Sequence, residues 1–466
     1  MPSSHINVLK RLYVRRLFMF LQIFTYINDF LWNNFLIILL PAIHIYNTVK
    51  TGFVQKRLFK GIRLSMKRTD SGDGISPFKA LTCTLASTIG TGNIIGVGTA
   101  IVLGGPGAVF WCWIGGLLGI ATKYAETYLA VKYRTKTKDG SYRGGAMYLL
   151  KNQLNMPISA VLFSVFGLAA SFGIGCAVQT GAISQTLKNC FSDTVLLSVS
   201  EINITAVELF TGIAAGLLCS VSIIGGVKSV SKISEILVPA MALLYMGGCL
   251  FLLFANRHYL PDAFASILSE AFGFKSIAGG FTGALFINAC RYGISKGLFS
   301  GESGMGSAPL ISVEAQTDSP DTIALITSTG TFWDTGVLCF LTGLTAVTTA
   351  IATGIDISSV DGEALMYFVF SKIPYAGKLI IVTCILFFAF TTLLGWSCYG
   401  EKCCIFLFGE NSVRKFRYLW VIASIISPFV PMIFIWCLSD LFNGLMTIPN
   451  IVAVFLLSND IKNNQI

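Results

Sequence analysis

Residues 86–107 read ASTIGTGNIIGVGTAIVLGGPG. They lie in an apolar run long enough to span a bilayer, yet carry Gly90, Gly92, Gly96, Gly98, Gly104, Gly105 and Gly107. Glycine is about 1 kcal/mol less favourable than alanine at a helical position. With Thr88, Thr91 and Asn93 interspersed, the stretch is a poor continuous helix and is expected to break near Gly90–Asn93. In lipid, unwound backbone is tolerated only where it is buried in protein or lines a cavity. The freed carbonyls and amides therefore face something polar. Close helix packing through small residues is the competing reading. It accounts for Gly92, Gly96 and Gly104 but not for a GTGN cluster.

The rest of the chain suits a membrane interior. Of its 466 residues, 54% are hydrophobic and 12% charged, against about 25% charged in soluble domains. This is the composition of a polytopic membrane protein with the lipid bilayer as its solvent, and it excludes a soluble enzyme. The net charge of +10 is a matter of loop topology, not a nucleic-acid surface. The 13 cysteines are scattered through apolar segments without a CxxC pair, and read as free, packed thiols. No cleavable signal pattern is expected at the N-terminus.

Hydropathy predicts eleven transmembrane helices. Residues 1–30, with Lys10, Arg11, Arg15 and Arg16 before LFMFLQIFTYI, form a basic segment suited to the interface. Residues 31–75 hold an extra span (31–49) and a basic connector with Lys56, Arg57, Lys60, Arg63 and Lys67. Spans follow at 76–104, 107–132, 157–186, 203–225, 235–256, 277–300, 322–352, 376–407, 416–437 and 440–458, with a tail at 459–466. The basic loops around the 76–132 hairpin place its Gly104–Pro106 tip outside, and the later loop charges put the N-terminus outside too.

Without the first span, the helices form two sets of five, 76–256 and 257–458. Each opens on a glycine-broken helix; in the second set this is GISKGLFSGESGMGSAP at 293–309. Five being odd, the second set is inverted. Paired interruptions at matching positions point to the binding site of a secondary transporter.

Several motifs are individually distinctive: STIGTGNIIGVGTAIVLGGPGAVFWCWIGGLLGIATKYAE (87–126), GGAMYLL (144–150), ASFGIG (170–175), GGVKSVSKISEILVPAMALLY (225–245), GLFSGESGMGSAP (297–309) and FAFTTLLGWSCYGEKC (388–403). On these the chain resembles the alanine or glycine:cation symporter family from about residue 30 to 458. The resemblance implies an all-α, LeuT-type five-plus-five inverted repeat with one extra N-terminal helix. It also implies a small neutral amino acid such as alanine or glycine as substrate, Na⁺ as coupling ion and no other cofactor. The chain departs from the family at Gly301 and Ser303, where Asn and Ala are usual, and at Cys176 and Gly181, where Asn is usual. If these positions line the pocket, the pocket is roomier; if they lie behind it, they only adjust packing.

A zwitterion needs donors for its carboxylate and acceptors for its ammonium, and unwound backbone supplies both. Ile89, Gly90, Thr91, Gly92 and Asn93 are candidates for the carboxylate, and the carbonyls of Gly304, Met305 and Gly306 for the ammonium, with helix packing as the alternative. Gln179 is either inter-helix glue or a substrate contact; the resemblance favours contact. Thr392 and Trp396 share one helix face, and the resemblance makes Trp396 a pocket wall. Thr391 and Thr392 either bond back to their own helix or bind a cation. By analogy with LeuT-type folds, carbonyls of Ala86, Ile89 and Phe388 join the two hydroxyls around Na⁺, and Asn93 serves a second cation.

Charges within spans are functional by default. Glu126 has Lys123 one turn away, Arg291 can snorkel, and Glu302 and Asp334 are candidates for gating or coupling. These readings converge on a transporter in an inner (plasma) membrane. Proton coupling through Glu302 or Asp334 is the first alternative. An integral-membrane enzyme or a channel is the second, but His5, His44 and His258 lie outside the glycine-rich core and no HExxH, Walker A sequence or repeated filter segment occurs.

Overall fold

The computed structural model describes residues 22–67, 75–137, 140–199, 202–273, 283–316 and 319–461. Eight described helices are long and apolar enough to cross a membrane. They are α1 (Gln22–Lys50), α5 (Gly107–Lys132), α6 (Pro157–Lys188), α7 (Ala206–Ile223), α8 (Gly226–Ala255), α12 (Pro320–Thr353), α14 (Gly377–Phe408) and α16 (Met432–Leu456). Between them lie α2 (Leu58–Ser65), α3 (Pro77–Thr88), α4 (Ile95–Gly104), α9 (Leu260–Ala271), α10 (Gly283–Gly301), α11 (Pro309–Ser312), α13 (Gly362–Ser371) and α15 (Val413–Ile426). A bend of 63° separates α3 from the helix that follows it, and counting this pair as one span gives nine.

Local chemistry sets the ends. Ser76 caps α3 ahead of Pro77, and Ser319 caps α12 ahead of Pro320, proline being tolerated where no N–H is needed. Thr205 and Glu208 form a capping box at α7. Large apolar side chains such as Leu217, Val221, Leu243 and Phe254 remain exposed on α7 and α8, as a lipid-facing surface requires.

Three expectations change. Among the described residues, eleven helices of spanning length are not found. Helix α10 starts where the described residues resume, so the head of the expected 277–300 span lies outside them. Helix α15 has 14 residues, which at 1.5 Å each fall short of a core about 30 Å thick. The last break falls at Ser427–Pro431 instead of 438–439, because Pro428 and Pro431 stop the helix inside what hydropathy reads as one apolar run. The first helix already runs from Gln22, within the segment expected to be interfacial.

The interior has two apolar clusters. Helix α14 belongs to both: Ile381, Ile385 and Phe388 enter one, and Leu393, Leu394 and Trp396 the other. Thr391 and Thr392 fall at the seam. All 13 cysteines are free.

Helices α4 and α5 make the expected hairpin, turning at Gly105 with φ +73°. In a variant cleared of reactive native thiols, Pro106→Cys is expected to react with an impermeant maleimide added to intact cells. Labelling only after permeabilisation reverses the orientation.

Candidate functional site

The first break sits at the seam. Gly90 is extended and its N–H donates to Asn93 Oδ1 at 3.0 Å. Thr392 Oγ1 donates to the Ile89 carbonyl at 3.3 Å, one of the acceptors that a helix C-terminus leaves without an intrahelical partner. A Cβ on Gly90 would stand 2.6 Å from Thr392 Oγ1, so glycine is what lets α14 close against the break.

The second break follows α10. Glu302, Gly304 and Gly306 take φ of +49°, +96° and +74° before α11 begins. A non-glycine residue there is uncommon and costs on the order of 1–3 kcal/mol. The Glu302 carboxylate accepts from Ser307 Oγ at 2.6 Å, which holds it in this conformation.

Asp334 ties the two breaks together. It is fully buried on α12. Oδ1 accepts from Asn93 Nδ2 at 2.6 Å, while Oδ2 accepts from Ser300 Oγ at 3.0 Å and Thr335 Oγ1 at 2.7 Å. On the opposite side, Thr91 Oγ1 donates to Gln179 Oε1 at 3.2 Å, and Gln179 Nε2 donates to the Ile174 carbonyl at 3.1 Å.

Between the breaks is a cavity of about 20 Å³, room for about one water. Gly90, Gly92, Gln179, Glu302, Thr392 and Trp396 line it, all singled out from sequence. So do Ser87, Thr88, Ile174, Phe299 and Ser300, which sequence reasoning missed. Ser87, Thr88, Phe299 and Ser300 lie within about one turn before a break, a spacing that marks them as wall residues once both breaks are known. Ile89, Thr91 and Asn93 stand just behind the wall.

Other expectations are corrected. Gly304, Met305 and Gly306 do not line the cavity. The Gly304 carbonyl accepts from Asn450 Nδ2 at 2.8 Å, and Cβ atoms at Gly304 and Gly306 would meet Leu40 and Asn450 at 2.6 and 2.5 Å. Glu126 does not pair with Lys123: its Oε1 accepts from Asn450 Nδ2 at 2.7 Å. Cys176, Gly181, Gly301 and Ser303 also lie off the wall. Cys176 faces Ser424 and Ser427, Gly181 abuts Met432, and Gly301 abuts Thr335. Arg291 is half-buried over the Tyr292 ring. The GISKG sequence at 293–297 has the spacing of a nucleophile elbow, but it lies within helix α10 and not at the strand-to-helix turn that such an elbow needs.

Of the oxygens expected around a cation, Thr392 Oγ1 and the Ile89 carbonyl meet. Thr391 Oγ1 donates to the Phe387 and Phe388 carbonyls of its own helix at 3.0 and 3.1 Å. Ala86 and Phe388 are fully buried beside them. A helix C-terminus joined by hydroxyls is an oxygen set that suits an alkali cation.

Known proteins are similar to this chain over most of its length. The model of the sodium:alanine symporter family matches residues 18–465. The chain is 38% identical over 465 residues to the sodium/alanine symporter AgcS of Methanococcus maripaludis, covering 96% of this chain and 99% of that one. It is 36% identical over 440 residues to the probable sodium/glutamine symporter GlnT of Bacillus subtilis, covering 92% and 87%. Among solved structures, MhsT in complex with L-phenylalanine superposes with a TM-score of 0.60 at 15% identity, over 83% of this chain and 90% of that one. A Na⁺-coupled sialic acid symporter gives 0.50 at 13% identity, over 90% and 85%. At such identities the likeness shows the fold, that of LeuT-type transporters. Matched over almost its whole length, this multi-pass membrane protein belongs to the sodium:alanine symporter family and is a secondary amino-acid transporter, not an enzyme.

Proposed function

We propose that the protein imports a small neutral amino acid, alanine or glycine in kind, together with Na⁺, by alternating access across an inner (plasma) membrane. The supporting observation is the seam at the first break, where the Thr392 hydroxyl, the Ile89 carbonyl and the Gly90 backbone adjoin a cavity walled by Gln179, Glu302 and Trp396. The sodium and alanine in the names of the family and of its archaeal member agree with it. In this reading an extra N-terminal helix precedes two inverted sets of five helices. Ile89 to Asn93 take the substrate carboxylate, and Ala86, Ile89, Phe388, Thr391 and Thr392 take the sodium ion. The ammonium goes to the residues of the second break that reach the cavity, Ser300 and Glu302. A cavity of about 20 Å³ is far too small for an amino acid, so the breaks must part to load it. A second reading, proton coupling, is favoured by one observation: Glu302, an acidic residue, stands on the cavity wall.

Thr392→Ala tests the cation assignment. Hydrogen bonds to charged groups contribute about 1.5–3 kcal/mol, so the Na⁺ concentration for half-maximal uptake is expected to rise about tenfold or more. Thr391→Ala should have the smaller effect, since that hydroxyl already bonds its own helix. Unchanged Na⁺ dependence in both variants, at normal expression, removes the assignment.

A further inference from the structure

Gly116, Gly119, Lys123 and Glu126 share one face of α5, three, four and three residues apart. That face runs along the second break. A Cβ at Gly116 would lie 2.5 Å from Thr335 Cγ2. One at Gly119 would lie 3.0 Å from Ser303 Oγ and 3.6 Å from His44 Nε2. Further along, Asn450 bridges Glu126 to the Gly304 carbonyl. Lys123 sits between these levels.

Lys123 is 1% exposed, and among the described residues no other lysine or arginine is buried. Its Nζ has no hydrogen-bond partner there, and neither does Glu126 Oε2 or His44 Nε2. Three buried carboxylates lie around this face: Glu126 on α5 itself, Glu302 next to the Ser303 that abuts Gly119, and Asp334 next to the Thr335 that abuts Gly116. His44, from α1, lies against the Gly119 level of the same face. A buried charge without hydrogen bonds is costly, and an ionisable residue inside a membrane protein is retained for function. The acids around it act against that cost. Glu302 is the one of these three that reaches the cavity wall.

We propose that Lys123 is a tethered cation for the second break. Its ammonium supplies, from the protein itself, the positive charge that balances the Glu302 carboxylate, in the role a soluble cation would otherwise fill. The first break then takes the soluble ion and the second carries its own. The inference rests on reading the cavity as a transport site, but its test does not require transport.

The full chain is purified in detergent as wild type, Lys123→Met, Glu302→Gln and the double variant, and each is melted in NaCl, KCl and choline chloride. Lys123→Met is expected to melt below wild type and to gain a larger upward shift in NaCl or KCl over choline. The double variant, with both charges removed, is expected to melt above Lys123→Met, so that the two substitutions are non-additive. Additive effects, or a Lys123→Met protein with wild-type melting and cation response, overturn the proposal. If Lys123→Met does not fold, the double variant must; a double variant that also fails to fold overturns it. Absent amino-acid uptake by wild type would count against the transport reading and leave the melting comparison to decide Lys123.

Discussion

Replacing Gly90 by alanine is expected to lower uptake about ten- to hundredfold, following an overpacking cost of about 1–3 kcal/mol. The added methyl would stand 2.6 Å from Thr392 Oγ1, the atom that donates to the Ile89 carbonyl. Thr392 is buried on α14, and turning its hydroxyl away from the added methyl gives up that bond. Either the break widens or α14 shifts, and both disturb the oxygens assigned to the cation. Gly96→Ala is the matched control. A Cβ there meets nothing within 4 Å, and alanine is about 1 kcal/mol better than glycine in a helix. Equal uptake by the two variants, relative to their amounts in the membrane, would show that Gly90 is only a small residue among others.

Asp334→Ala is expected to lose uptake altogether and to lower the melting temperature sharply. Three donors on three segments converge on this carboxylate: Asn93 of the first break, Ser300 ahead of the second and Thr335 on α12. Each buried donor left unsatisfied costs about 1–3 kcal/mol. Asp334→Asn keeps the shape but brings an amide N–H₂ to face donors, so it should fall between wild type and alanine. Thermal melting in detergent and uptake in vesicles read the two effects separately. Wild-type melting in Asp334→Ala would show that the breaks are held together by something else.

The first break was legible because glycine density and the lipid constraint act on the same few residues. Gly90 had no alternative once GTGN was placed in a span. The second break was legible for the same reason, but its orientation was not. That Gly304 and Gly306 turn away from the cavity depends on Asn450, far along the chain on α16, and no local pattern announces the pairing. Asp334 was picked out as a buried charge, while its partner Asn93 lies 241 residues away. Lys123 and Glu126, one turn apart, could have formed a local ion pair; the structure turns Glu126 to Asn450 and leaves Lys123 Nζ without a hydrogen-bond partner among the described residues. The border between α15 and α16 was misplaced because hydropathy weighs side chains and ignores the N–H that Pro428 and Pro431 lack.

The central claim is Na⁺-driven import of a small neutral amino acid. The direct measurement is uptake of labelled L-alanine into proteoliposomes under an inward Na⁺ gradient, an inward proton gradient without Na⁺, or neither, with glycine as competitor. The expected result is concentrative, saturable uptake under the Na⁺ gradient only, reduced by glycine. Accumulation under the proton gradient in Na⁺-free buffer, or none under the Na⁺ gradient, would contradict it.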